Sequence, residues 1–77
     1  MRTKQFPVNL SAEERTLCHE MTMKGHVAAR TVTRAHVLLL AHEGLPDQNI
    51  ASALHLGTRT VGRTRKRYAQ EGLEGAL

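Results

Sequence analysis

Glycines divide this 77-residue chain into short segments, and their spacing limits the elements that it can form. They stand at positions 25, 44, 57 and 72, with two more at 62 and 75. Between them, apolar residues recur every three or four positions, which is typical of amphipathic helices rather than strands. We therefore predict an all-α fold in a single domain over residues 1–77. Its helices are expected at about 11–24, 28–43, 47–54 and 58–70.

The first helix has a clear start signal, the capping box SAEE at positions 11–14. In this motif the Ser11 hydroxyl accepts from the Glu14 N–H, and the Glu14 carboxylate accepts from the Ser11 N–H. The apolar stripe of the helix consists of Leu17, Cys18 and Met21. Lys24 and Gly25 are expected to end it, with the glycine in the left-handed conformation.

The second helix contains the longest apolar run in the chain, VLLLA at positions 37–41. With Val32 and Ala35, this run spreads apolar surface almost all round the helix. Such a helix is covered by neighbours on several sides, so we predict that it forms the centre of the fold. Pro46 and Asp47 suit the start of a short third helix. The apolar residues of that helix are Ile50, Ala51 and Leu54.

The last helix is strongly basic: five of the nine residues at 59–67 are Arg or Lys, and none is acidic. Val61, Thr64 and Tyr68 fall at i, i+3 and i+7, so they share one packed face. The opposite, exposed face consists of Arg59, Arg63, Lys66, Arg67 and Gln70. A short turn around residues 55–57 joins this helix to the third one. Two helices joined in this way, the second one basic, indicate a helix-turn-helix.

A helix-turn-helix places the first turns of its second helix in the major groove of DNA. The residues predicted to lie there are Thr58, Arg59, Thr60 and Arg63. Arginine binds guanine through two hydrogen bonds, and threonine meets a thymine methyl or a phosphate. Further DNA contacts are assigned to Thr64, Lys66, Arg67 and Arg34, with Arg65 among the phosphate-binding cations. If this helix only binds phosphate, specificity is expected from an N-terminal arm around Arg2 and Lys4 or from a second domain.

A net charge of +4 and a pI near 10.0 favour an acidic partner, with DNA, RNA and anionic membranes as candidates. The basic face lacks the large apolar residues that membrane insertion needs, so no membrane partner is predicted. The apolar run at 37–41 is far too short to cross a bilayer. Residues 1–9 do not resemble a signal peptide. A single cysteine, Cys18, excludes an internal disulfide, and we expect a cytoplasmic, nucleoid-associated protein.

The sequence of residues 38–77 is LLLAHEGLPDQNIASALHLGTRTVGRTRKRYAQEGLEGAL. It resembles the N-terminal helix-turn-helix region of bacterial insertion-sequence transposases of the six-thirty family, relatives of the mariner transposases. The resemblance extends more weakly through LSAEER and RTVTRAHVLLL, so it covers nearly the whole chain. It implies a homeodomain-like helix-turn-helix three-helix core with an extra N-terminal helix. It also implies that the domain recognises terminal inverted repeats, while a separate downstream domain with three acidic residues cuts and joins DNA.

Three positions depart from the pattern of that family. His55 stands where a glycine is usual, Gly57 where a serine-like cap is usual, and Thr64 where a tryptophan is common. A left-handed turn conformation at His55 is possible but uncommon for a residue with a side chain. Gly57 remains an acceptable N-cap, although a weaker one than serine.

No catalytic, metal or cofactor site is predicted, and no small-molecule ligand. Strand transfer on two metal ions requires a cluster of carboxylates, but one aspartate and six glutamates are spread along the chain. Cys18 and the five histidines lack the paired spacing of zinc ligands. The predicted function is sequence-specific binding of double-stranded DNA, as the non-catalytic part of a transposase that has a catalytic domain elsewhere. Alternatives are a free-standing transcriptional regulator that forms a homodimer, a protein-interaction module for an acidic partner, and a solvated helix without a partner.

Overall fold

The computed structural model describes residues 7–77. The N-terminal arm around Arg2 and Lys4 lies outside the described residues. The described part contains four helices and no strand, which confirms the all-α fold. The helices are α1 (Ala12–Met23), α2 (Ala29–His42), α3 (Asp47–Leu54) and α4 (Thr58–Ala76).

Helix α1 begins with the expected capping box. The Ser11 N–H donates to Glu14 Oε1 over 3.0 Å, and the Glu14 N–H donates to Ser11 Oγ over 3.1 Å. The predicted apolar stripe is narrower than expected, because Cys18 is fully buried whereas Leu17 is 36% exposed. Burial is also the main cause that raises the pKa of the Cys18 thiol, which suits a small core residue.

The end of α1 differs from the prediction. The helix is capped by Lys24 in an extended conformation (φ −80°, ψ 137°), with the Lys24 N–H still donating to Glu20 O. Within residues 7–77 the glycines with positive φ are Gly44 and Gly72, so the left-handed conformation expected at Gly25 is wrong. The extended backbone of Lys24 takes the chain out of the helix, and no left-handed residue is needed to stop it.

Helix α2 is the centre of the fold, and it packs against each of the other three helices. Its buried residues are Ala35, Val37, Leu38, Leu39 and Ala41. They meet Ile50 and Ala51 of α3 and Val61 of α4 in one apolar core. Each large side chain that is fully buried there contributes about 1.5–3 kcal/mol. The predicted central position of α2 follows from this all-round burial.

Helix α4 extends further than expected. Gly72 adopts a positive φ of 78°, which interrupts the helix where its end was predicted, but helical structure then resumes up to Ala76. Leu73 and Ala76 of this last turn are buried in the core. The kink at Gly72 therefore redirects the chain back onto the domain instead of ending the element.

The segment before α1 is fastened to two later helices. Val8 and Leu10 are buried, and the Leu10 N–H donates to His42 Nδ1 at the end of α2 over 3.0 Å. The Tyr68 hydroxyl of α4 lies 3.0 Å from the carbonyl oxygen of Asn9 and 3.1 Å from Glu14 Oε1. The extra N-terminal helix is thereby held against α2 and α4.

Candidate nucleic-acid interface

A tight turn connects α3 to α4. Helix α3 ends at Leu54, and His55 adopts the left-handed conformation (φ 59°, ψ 45°) that is uncommon for a residue with a side chain. The Leu56 N–H returns to Ala51 O over 2.8 Å, which closes the turn. Gly57 then caps α4 with an extended backbone and without a side-chain hydrogen bond. Helices α3 and α4, joined by three residues, form a helix-turn-helix.

The inner face of α4 is anchored by Val61, which has no exposed surface. Thr64 lies on the same face and is 3% exposed, and its hydroxyl donates to Thr60 O over 3.0 Å. Tyr68 is partly buried against the core. These three residues are the ones whose spacing predicted a packed face. The position of Thr64 leaves little of its side chain on the surface, so it is placed better to support α4 than to contact a partner directly.

Arg65 also lies on the inner side of α4, contrary to the prediction that it joins the phosphate-binding cations. It is 7% exposed. Its Nε donates to Asp47 Oδ1 over 2.5 Å, and its Nη2 donates to Leu45 O over 3.1 Å. Arg65 therefore links α4 to the start of α3 and to the connection before it. The sequence spacing could have indicated this inward position, because Arg65 follows the buried Val61 by four positions and therefore lies on the same side of the helix.

The other predicted contact residues on α4 lie on its outer surface. The exposed residues are Thr58, Arg59, Thr60, Arg63, Lys66 and Arg67. Among the described residues 7–77, none of the four cations in this set forms an ion pair. Their positive charge is therefore not neutralised within this part of the chain, and it is available to an anionic partner.

Arg34 of α2 is the one predicted contact residue outside α4, and the fold brings it to the edge of the basic helix. It lines a cleft of about 190 Å³ together with Thr60, Arg63, Thr64 and Arg67. Its Nη1 donates to the carbonyl oxygen of Leu77 over 3.3 Å. Three guanidinium groups from two helices thus border one concave site, an arrangement suited to an oxyanion.

Two further findings concern other classes of function. Over residues 7–77, no group of three or more His, Cys, Asp or Glu side chains is arranged to hold a metal ion. No helix in the same part of the chain combines the length and the apolar character that crossing a bilayer requires.

Comparison with known proteins identifies the family. The family model for homeodomain-like domains matches residues 28–77, which include α2, α3, the turn and α4. No curated protein and no solved structure matches the chain. The matched region covers more than half of the chain and contains most of the core, the helix-turn-helix and the basic surface. A helix-turn-helix with a basic second helix indicates binding of double-stranded DNA. The chain belongs to the family of homeodomain-like domains.

Proposed function

We propose that this domain binds double-stranded DNA sequence-specifically, with α4 as its recognition helix. The observation that carries the proposal is the exposed face of α4, where Arg59, Arg63, Lys66 and Arg67 point outward and have no carboxylate partner within residues 7–77. This face directly follows the tight turn at His55, which holds α4 against α3. A docked helix of this kind presents its first turns to the major groove.

The dimensions of α4 suit this role. From Thr58 to the kink at Gly72 the helix has about four turns, roughly 20 Å at 1.5 Å per residue. The major groove of B-DNA is about 12 Å wide, so both the groove and a flanking phosphate row are within reach of one helix. Arg59 lies in the first turn, where base edges are closest. Lys66 lies two turns later, where a docked helix leaves the groove and meets phosphate.

We further propose that the natural target is a terminal inverted repeat of a transposable element. The support is the resemblance of residues 38–77 to the DNA-binding regions of insertion-sequence transposases. In this proposal the domain locates the ends of the element, and cutting and joining belong to a catalytic domain of the transposase. The chain departs from the transposase pattern at His55 and Gly57 in the turn and at Thr64 on the buried face of α4. These departures do not alter the exposed cations of α4.

The test is selection from a library of random duplexes, followed by titration of the enriched site at several salt concentrations. About four phosphate contacts should give a slope of log affinity against log salt near −4, from roughly 0.9 per contact. An asymmetric site bound by one copy supports the transposon-end proposal. A palindromic site bound by a dimer indicates a free-standing regulator instead.

The control variant is Arg15→Ala, which removes one exposed cation from α1 and leaves α4 intact. It should keep the site preference of the wild type and nearly its affinity. The proposal is contradicted if no sequence is enriched, if binding does not respond to salt, or if polyglutamate binds in preference to duplex DNA. The last result indicates a protein-interaction module for an acidic partner.

A further inference from the structure

The cleft between α2 and α4 combines features that an ordinary solvated surface does not need. Its charged residues are Arg34, Arg63 and Arg67, and none of its lining residues is acidic. Like charges gathered at one concave place repel, and an anion bound between them would relieve that repulsion. Thr60 adds an exposed hydroxyl at the same edge, one turn before Arg63 and two turns before Arg67.

Arg34 is also held in position. Its Nη1 donates to Leu77 O, and the Thr31 hydroxyl donates to the same oxygen over 3.4 Å. The kink at Gly72 brings this carbonyl to α2, because it turns the last part of α4 back onto the core. Arginine has five N–H donors, so one bond to Leu77 leaves others for a ligand. The last turn of α4 therefore orients a side chain of α2 toward the recognition helix.

We propose that this cleft seats one phosphate of the DNA backbone, with Arg34 and Arg67 as its principal ligands and Arg63 at its rim. This inference rests on the proposed DNA-binding function. It goes further by assigning two arginines from different helices to the same phosphodiester, while Lys66 meets a different phosphate. Arginine suits this role because its planar fork binds two oxyanion oxygens together. The seat fixes the position of α4 along the groove without reading a base.

The experiment replaces single phosphates of the selected duplex by uncharged methylphosphonates, one position at a time. For the wild type, several positions should weaken binding. At one of these positions the loss, about tenfold, should shrink in Arg34→Ala and in Arg67→Ala, because each variant keeps one of the two arginines, and it should disappear in the double variant. In Lys66→Ala, the methylphosphonate at that position should still weaken binding. At a different position, the phosphate that Lys66 contacts, the methylphosphonate should no longer have an effect. Arg15→Ala should give the wild-type pattern at every position.

A substitute variant and a comparison of outcomes distinguish a failure of the proposed function from a failure of the proposed phosphate site. Arg34→Gln removes the charge but retains an amide donor for Leu77 O, so it replaces Arg34→Ala if that variant melts early. Failure of the wild type to bind any duplex contradicts the proposed function itself. Binding by the wild type with the same methylphosphonate pattern in the Arg34 and Arg67 variants overturns the phosphate seat alone. Independent losses for Arg34→Ala and Arg67→Ala that multiply in the double variant lead to the same conclusion.

Discussion

Arg65 in the middle of α4 and Asp47 at the first residue of α3 form an ion pair that is nearly out of solvent. Their side chains are 9% and 17% exposed, and the two residues are 18 positions apart. Asp47 lies at the positive end of α3, where a carboxylate is already favoured. The pair, with the second bond from Arg65 to Leu45 O, fixes how α4 lies on α3. The orientation of α4 on α3 therefore depends on a charged pair that is almost entirely buried.

Arg65→Ala should lower the free energy of unfolding by about 3 kcal/mol, because it leaves the Asp47 carboxylate and the Leu45 carbonyl without their donor in a mostly buried place. The matched control is Lys66→Ala, its exposed neighbour, which should change stability by less than about 0.5 kcal/mol. Urea denaturation followed by circular dichroism measures both. The double variant of Arg65→Ala and Asp47→Ala should lose less than the sum of the single losses. Additive losses would show that the two groups are not coupled.

His55→Gly should stabilise the domain by about 0.5–1 kcal/mol. The left-handed conformation costs a residue with a side chain about 1–2 kcal/mol, and the greater backbone entropy of glycine offsets part of the gain. Gly44→Ala is the opposite control, since Gly44 has a φ of 98° and alanine there should destabilise by about 1 kcal/mol or more. Thermal melting of the three proteins tests this pair. A lower melting temperature for His55→Gly would indicate that the imidazole makes a stabilising contact.

Tyr68→Phe should cost about 0.5–1.5 kcal/mol at neutral pH, because it removes the hydroxyl that contacts Asn9 O and Glu14. Burial, together with the hydrogen bond to the Glu14 carboxylate, raises the pKa of Tyr68. The stabilisation is therefore complete below the unfolded pKa of about 10, and it is lost as the pH rises through the higher folded pKa. Denaturation at pH 7, 9 and 10.5 should show the gap between the two proteins narrowing at the highest pH. A gap that stays constant across this range speaks against the hydroxyl as its source.

Arg59→Ala and Lys66→Ala should distinguish base-specific contacts from contacts with the DNA backbone. Arg59 is exposed in the first turn of α4 and lies outside the arginine cleft, so its loss should cost about 1–3 kcal/mol on the selected site and much less on random DNA. Lys66→Ala should weaken both duplexes by similar factors and reduce the salt slope by about one unit. Competition binding measures both variants. Equal losses on every duplex would make α4 a phosphate clamp and place the specificity elsewhere.

Local signals in the sequence located most of the helices. The capping box at Ser11 and Glu14 acts between neighbouring residues, and the structure contains both of its hydrogen bonds. The spacing of Val61, Thr64 and Tyr68 likewise identified the inner face of α4, because helix geometry alone decides which residues share a face. These features do not depend on where the rest of the chain lies.

Features that depend on distant parts of the chain were not predicted. Arg65 was grouped with the exposed cations because it stands in a charged run, and only the fold reveals that Asp47 and Leu45 O lie beside it. The helix was predicted to end near Gly72 with Leu73 folded back onto the core, but the helical turn that resumes up to Ala76 was not predicted, because it depends on apolar surface that the core offers to Leu73. The cleft at Arg34 forms only where α2, α4 and the Leu77 carbonyl come together. These parts are distant in sequence, so no short motif predicts the cleft.

The bond between the Tyr68 hydroxyl and Asn9 O joins residues that are 59 positions apart, and this separation bears on the order of folding. Helices α1 and α2 are neighbours in sequence and pack together, so their contacts close only a short loop. During synthesis the first two helices are complete before α4 exists. The new chain can therefore form a hairpin of α1 and α2 early. The hydrogen bond that fastens the segment before α1 to α4 can form only after Tyr68 has left the ribosome.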